Sequence, residues 1–435
     1  MKNIKFLIYA AAILAIPLTS LSVAGIPLTL TKQYGFIAFE NGQIVSGLSP
    51  TSNNLIMNHA WLERAIMQFS DEFAIMDRAK FILSIEAQLG FTYPQNVSDR
   101  STYLSRFWLY PNRVEGIYPF GDKDKPFLEF GVGYFPYQDN KSVRNLGEYL
   151  FRSGTYPPIL INNFNQPFTR LLGFRASSTL WDSFKQDLLF TSEALVYPTQ
   201  DFSLSYVAHY TIAHSLELGA GIMFAHLFQI SNHLDLKDSY DSLATMYLTK
   251  GGDTAHYTFQ GTKPDILFSF DPKLLLPSAF SNWFGPEDFK LYGEACVIGW
   301  EDYKNHNTDT NLAFPDYHNR WDRAVAMLGF NVPAFKFFDV LSMECEYKPT
   351  FYSNSYKNVI DDNLPIPLTS NGRNIVPWKW SVYAKKTFLD RFSIIGQIAQ
   401  DHMRPNVPII TQAERDDVLS RPGDWWWVLR VMVKY

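Results

Sequence analysis

Charged residues recur at alternate positions along many short runs of this sequence, and they are its first candidates for chemistry. Glu86, Glu129, Arg175, Glu193, Glu217, Lys290, Glu294, Arg323, Glu344, Glu346, Lys379 and Arg430 each fall among the polar residues of a stretch whose other positions are apolar. Their signs are mixed. Lining an aqueous passage, such residues set a transverse field and a weak ion preference; paired with one another, they only solvate it. Glu344 and Glu346 are unusual because carboxylates at i and i+2 share one face of a strand. There they attract cations or accept hydrogen bonds from the arginines of an inserted segment. The segment with suitable content is 136–168, which places Lys141, Arg144 and Arg152 beside Asp139 and Glu148, and whose residues 142–151 read as a helical turn.

Catalytic constellations are weaker. The nearest string to a Ser-His-Asn hydrolase is Ser231-Asn232-His233, which has the wrong order for it. His209, His214 and His226 fall on two runs with opposite parity, which disperses a metal cluster. Asp302, Asp309, Asp316 and Asp322, with His306 and His318, could offer oxygen ligands to Ca²⁺, but an exposed Asp/Asn-rich loop accounts for them more simply. No nucleotide-binding or zinc-protease spacing occurs, so no enzyme activity, cofactor or metal is expected. A net charge of -5 argues against a nucleic-acid partner, which wants a concentrated basic face. Cys296 and Cys345 are the only cysteines and read as plain strand residues, a single bridge being the minor option.

The elements that must position the charges are strands. Leu128, Phe130, Val132 and Tyr134 alternate with Glu129, Gly131 and Gly133; Leu216, Leu218, Ala220 and Ile222 with Glu217, Gly219 and Gly221; Leu341, Met343, Cys345 and Tyr347 with Ser342, Glu344 and Glu346. A period of 2 is the strand signature. Similar runs start near residues 65, 81, 172, 202, 289, 324 and 378, with weaker ones at 186–197, 257–261, 266–270 and 392–399. Asn41-Gly42 between two apolar runs predicts a type I′ hairpin. Short connections are expected at 77–78, 181–185, 198–201, 212–215, 261–264, 333–339 and 389–391. Long ones are expected at 92–125, 136–168, 228–256, 271–287, 301–319, 350–376 and 400–423. The total is about 16 strands, with 14 to 18 plausible, in one domain over 25–435. Residues 1–24 read as a secretory signal peptide: Lys2 and Lys5, a short apolar core at 6–16, and Ser22-Val23-Ala24 as the cleavage site.

The chain's last eleven residues draw these observations together. Trp425, Trp427, Leu429, Val431, Val433 and Tyr435 occupy one face; Arg430 and Lys434 occupy the other. An alternating strand of about 11 residues is long enough to cross a bilayer at a tilt. With its C-terminal aromatic, it resembles the last strand of Gram-negative outer-membrane β-barrels. That resemblance implies an all-β fold, a transmembrane antiparallel β-barrel with short periplasmic turns and long extracellular loops. It also implies a bacterial outer-membrane location, lipid as a partner, and a barrel-assembly machinery that reads Trp425, Trp427 and Tyr435. The aromatic content of 16% suits girdles at two membrane interfaces. In lipid an open sheet edge leaves backbone groups unpaired, so the sheet must close.

Segment 136–168 resembles the porin loop that folds into the lumen, in content and in following about the fifth strand. Gly133-Tyr134-Phe135-Pro136, Asn145-Leu146-Gly147 and Phe151-Arg152 also resemble a motif of porin-like barrels, in which the first four residues form a turn. The function implied is passive diffusion of small hydrophilic solutes. Lys141, Arg144, Glu148 and Arg152 would stand at the constriction, and Glu86, Arg175, Glu344, Glu346, Lys379 and Arg430 on the lumen wall; porin likeness also admits a homotrimer. The alternatives are a non-conducting barrel that transports lipid or hydrophobic compounds or serves as a surface scaffold, and an outer-membrane hydrolase.

Overall fold

The computed structural model describes residues 20–23, 26–46, 61–75, 78–93, 104–122, 125–151, 169–192, 202–228, 246–249, 251–256, 260–277, 282–301, 319–349, 377–400 and 425–435. In chain order the strands are β1 (Ser20–Val23), β2 (Ile26–Ser46), β3 (Trp61–Ile75), β4 (Ala79–Tyr93), β5 (Leu104–Gly121), β6 (Pro126–Tyr137), β7 (Thr169–Leu180), β8 (Phe184–Ser192), β9 (Phe202–Ile212) and β10 (Leu216–Phe228). They continue as β11 (Met246–Leu248), β12 (Thr254–His256), β13 (Gly261–Phe270), β14 (Leu291–Val297), β15 (Ala324–Asn331), β16 (Val340–Tyr347), β17 (Trp378–Phe388), β18 (Phe392–Ala399) and β19 (Trp425–Lys434). From β2 to β10 and from β13 to β19 each strand pairs antiparallel with the next, β10 pairs with β13, and β19 pairs with β2. The result is a closed 16-stranded barrel. β1 adds four residues beside the start of β2, and β11 and β12 form a separate small hairpin.

The outer face is apolar: Phe39, Leu109, Phe130, Phe174, Leu188, Ile266, Leu328, Met343, Trp380 and Leu429 are exposed. On the opposite face of the sheet Glu40, Glu86, Glu115, Asp265, Glu294, Glu344, Glu346 and Lys379 are turned inward and buried. This is a soluble β-protein inverted, as a lipid-facing barrel requires. Cys296 is buried on the inner face and Cys345 exposed on the outer one, both as free thiols.

Four sequence expectations need correction. Asn41-Gly42 is not a turn; it lies inside the 21-residue β2, paired to Leu429 and Val428 on one side and to Glu63 and Leu62 on the other. Glycine serves there for close approach: a Cβ on Gly42 would stand 2.6 Å from the Trp427 carbonyl oxygen. Hairpin turns with two residues at positive φ do occur, but at Trp181-Asp182, Ala213-His214 and Leu389-Asp390. Second, the connection expected at 92–125 contains β5. Its alternation is broken by a bulge, because Ser84 pairs with Arg113 while Ile85 pairs with Pro111. The extra residue, Asn112, moves the apolar face from Phe107 and Leu109 to Tyr118 and Phe120, so a fixed parity misses the strand.

Third, 261–264 is no turn but the start of β13, opposite 222–225 of β10. Residues 257–259 lie outside the described residues. Fourth, strict up-and-down order assigns each connection to an end of the barrel. It places 193–201 with the long loops and 271–290 with the short turns, the reverse of what length suggested.

Closure positions the C-terminus. Trp426 to Lys434 pair with Ile44 to Phe36 of β2, and Tyr435 and Gly35 exchange backbone hydrogen bonds at 3.2 and 3.3 Å. The Tyr435 hydroxyl then donates to the Gln68 carbonyl at 2.9 Å, and its ring lies 5.8 Å from that of Phe69. Tyr435 therefore crosses β2 to reach β3. Only glycine allows this crossing, since a Cβ on Gly35 would stand 2.4 Å from the tyrosine oxygen. We expect Tyr435→Lys and Gly35→Val each to lower the fraction of heat-modifiable, folded barrel in membranes, while molecules that do insert keep their other properties. Folded levels equal to wild type in both variants would contradict a seam held in this way.

Candidate functional site: a segment docked on the inner wall

After β6, the fifth barrel strand, residues 138–151 fold against inward-facing side chains of distant strands. Glu344 of β16 accepts the backbone N–H groups of Arg144 (2.5 Å), Asn145 (2.9 Å) and Leu146 (2.9 Å), and the Tyr292 hydroxyl at 2.9 Å. Glu294 of β14 accepts those of Glu148 (2.9 Å) and Tyr149 (2.6 Å), and the Asn140 amide at 3.2 Å. Glu346 accepts the Tyr149 hydroxyl at 2.6 Å. The Lys263 ammonium lies 3.4 Å from the carbonyl oxygens of both Tyr149 and Leu150. The expected helical turn at 142–151 is absent; the segment is a chain of turns and bends. The amides that a helix would bond to carbonyls four residues back are instead taken by two wall carboxylates, with Gly147 at φ 93° and Glu148 at φ 60° turning the chain between them.

Apolar anchors accompany these bonds. Leu150 and Phe151 pack with Phe135, Tyr137, Leu171, Leu189, Val207, Met223 and Ala225. Val143, Leu146 and Tyr149 pack with Tyr292, Cys296, Ile298, Val325 and Met327. The sequence reading did not pick out this footprint. Its signal was available: Val207, Met223, Val325 and Met327 are apolar residues on the otherwise polar face of their strands. Gly133-Tyr134-Phe135-Pro136, expected as a turn, is the end of β6, and its Phe135 is part of the same core.

The acidic groups of the segment face the wall. The Glu148 carboxylate accepts from the backbone N–H groups of Asn140 at 2.7 Å and Asp139 at 3.2 Å. Burial, and then the Glu294 charge, push its pKa well above the ordinary carboxylate value. Asp139 lies 2.6 Å from His209, whose other ring nitrogen is 2.9 Å from Glu217; burial raises the Asp139 pKa, and His209 opposes the rise. His209 thus serves this pair and not the metal cluster that His214 and His226 would complete; among the described residues no group of His, Cys, Asp and Glu is arranged to hold a metal. Arg144 pairs with Glu287 at 3.1 Å. Burial raises the Glu287 pKa, but Lys290 and Arg144 outweigh it and hold the carboxyl below its ordinary value. Lys141 is exposed.

The remaining candidates stand on other parts of the inner wall. Glu86 accepts from Tyr110 at 2.5 Å and lies 3.5 Å from Arg170. Arg175 bridges Glu115 and Glu129 at 3.0 and 3.1 Å. Arg430 and Arg64 share the carboxylate of Glu40. Lys379 stands opposite Glu346 in the β16–β17 register. The structure therefore brings Arg144, Glu148, Glu344, Glu346 and the unforeseen Glu294 into one interface, and leaves Glu86, Arg175 and Arg430 in separate clusters. Arg323 is held elsewhere, with its Nε donating to the Gly299 carbonyl at 3.0 Å. Arg152 and Glu193 lie outside the described residues. Trp425 and Trp427 share the outward face of β19 with Tyr435.

Fold and site define a transmembrane-type 16-stranded β-barrel with a segment folded inside it. No protein-family model matches the sequence, and no curated protein matches it. Among solved structures the chain is similar to a double mutant of Rh. blastica porin, at 7% identity and a TM-score of 0.43, covering 93% of this chain and 99% of that one. It is also similar to Pseudomonas putida OprB in a low-pH structure, at 7% identity and a TM-score of 0.44, covering 94% and 92%. Overlaps this loose leave the function to be argued from the chain's own geometry.

Two outcomes follow from the docking. Glu344→Leu strands three buried N–H groups at about 1–3 kcal/mol each, so amide hydrogen-exchange protection at 144–146 should collapse; Glu344→Gln, which keeps one acceptor oxygen, should lose less. The carboxyls of Glu148 and Asp139 have raised pKa values, so the docked state holds their protons more tightly than the free segment does. Their contribution is present at low pH and fades as pH rises through the docked-state pKa values. Protection factors over 139–149, corrected for intrinsic exchange, should fall with rising pH, and Glu148→Gln should flatten that dependence. A pH-independent profile in the wild-type protein would count against this assignment.

Proposed function

We propose that the chain is a porin-like channel of a bacterial outer membrane that passes small hydrophilic solutes by diffusion, without enzymatic activity. The observation that carries this reading is the polar inner wall of a 16-stranded barrel, partly covered by 138–151. A barrel of this size leaves an aqueous lumen unless something fills it, and a segment held along one side narrows it without sealing it. Lys141 and Arg144 stand at the constriction, with Glu148 behind them as an anchor, and Arg152 belongs to the same segment. The charges of Glu86, Arg175, Lys379 and Arg430 tune the wall, while Glu344 and Glu346 hold the segment in place.

In this reading residues 1–24 direct export, residues 25–435 form the barrel, the short connections face the periplasm, and the assembly machinery engages Trp425, Trp427 and Tyr435. A homotrimer is the assembly that porin likeness suggests. Refolded protein in planar bilayers should give discrete conductance steps. The double variant Glu294→Gln/Glu344→Gln, which loosens the segment, should raise the open-state current or its noise by about twofold. A barrel that is fully folded but gives no step in any salt favours the non-conducting alternative, and release of fatty acid from phospholipid vesicles would favour the hydrolase.

A further inference from the structure

The inner wall is divided by charge. β13–β16 carry Asp265, Glu294, Glu344 and Glu346 against Lys263 alone. β17–β19 turn Lys379, Lys385, Arg430 and Lys434 inward and contain no Asp or Glu, while Lys386 falls on the outer face, opposite Ile394. Segment 138–151 lies on the acidic sector. Glu294, Glu344 and Glu346 are each bonded to it and buried beneath it. Its own carboxylates, Asp139 and Glu148, are buried against the wall as well, while Lys141 is exposed and Arg144 partly so. Docking therefore withdraws negative charge from the passage and leaves positive charge on both of its sides.

The basic sector is continuous in register. Lys385 pairs with Ile395, Ile395 with Arg430, Arg430 with Glu40 and Glu40 with Arg64, one row across five strands. Two guanidinium groups in that row share a single carboxylate. The charges facing Lys385 are Lys434, Asp339 and Arg144, and Asp339 is itself engaged by Lys386 at 3.2 Å. Among the described residues, Lys385 and Lys434 have no side-chain hydrogen bond or ion pair. Three of the partly accessible carboxylates face basic partners, Glu129 with Arg175, Glu217 with His209, and Glu287 with Arg144 and Lys290, and Asp187 accepts from the Tyr137 hydroxyl at 2.8 Å.

We infer that the inner face of β17–β19, together with Arg144 across from it, selects for small anionic solutes, carboxylates or phosphates, over cations. The inference rests on the channel reading and deepens it. Like charges that cannot all pair within the protein recruit mobile counter-ions, and between low-dielectric walls that recruitment raises the local anion concentration and excludes cations.

The test is the reversal potential of the full-length protein in planar bilayers under a KCl gradient. Chloride should permeate in preference to potassium. Lys385→Glu/Lys434→Glu should lower the anion-to-cation permeability ratio by about threefold or more. Inorganic phosphate should depress the chloride current of the wild-type channel more than that of the double variant. If charge reversal blocks folding, Lys385→Gln/Lys434→Gln should move the ratio in the same direction by a smaller factor. A wild-type preference for potassium, or a ratio unmoved by these variants in a conducting channel, overturns the inference while leaving the channel standing. Absence of any conductance step overturns both.

Discussion

Pairing of every backbone amide is the constraint on which this molecule depends. A sheet with an apolar outer face and a polar inner one is stable only where lipid lies outside, and in lipid an unpaired strand edge costs several kcal/mol for each exposed group. The remedy is closure, and closure here joins the first and last strands of the barrel: β19 along ten residues of β2, with Tyr435 reaching over Gly35 to the backbone of β3. The up-and-down order of the remaining strands, and with it the two ends of the barrel, follows from that ring.

The same accounting governs the interior. A segment without helix or sheet must satisfy its amides elsewhere, and 138–151 does so on Glu294 and Glu344. A carboxylate that accepts two or three N–H groups is a strong acceptor site, so two glutamates on neighbouring parts of the wall can replace a stretch of secondary structure. Apolar residues on the inner face of β9, β10 and β15 complete the footprint. The polarity that marks the rest of the lumen wall is suspended where the segment covers it.

The division of charge is a consequence of where the segment lies. On β13–β16, where the segment bonds to the wall, acids gather; on β17–β19, which it leaves open, lysines and an arginine do. Buried carboxylates away from the segment are answered by arginine: Glu40 by Arg64 and Arg430, Glu115 by Arg113 and Arg175, Glu86 by Arg170. Truncating one partner of such a pair leaves a buried charge uncompensated, which costs more than the intact pair contributes. These clusters therefore fix side-chain positions on the wall as well as its charge.

Fold class was legible from the sequence because a barrel wall has one apolar and one polar side, and a strand writes that as a period of 2. The runs around Glu129, Glu217, Glu344 and Arg430 carried it, and the terminal strand carried it most clearly. Parity alone also put Glu86, Arg175, Glu294, Glu344 and Glu346 on one side of the sheet. It failed where local rules meet tertiary ones. Asn41-Gly42 has the chemistry of a turn, but two neighbouring strands claim its backbone on both sides. β5 escaped notice because one bulged residue exchanges its faces. Residues 142–151 have the spacing of a helix, yet their amides bond to glutamates that lie about 150 to 200 positions later in the chain. Sequence by itself determined which residues alternate, and hence that a two-faced sheet forms. Only the tertiary structure decided which acids are covered and which bases stay open, because that depends on which distant carboxylates a buried amide can reach.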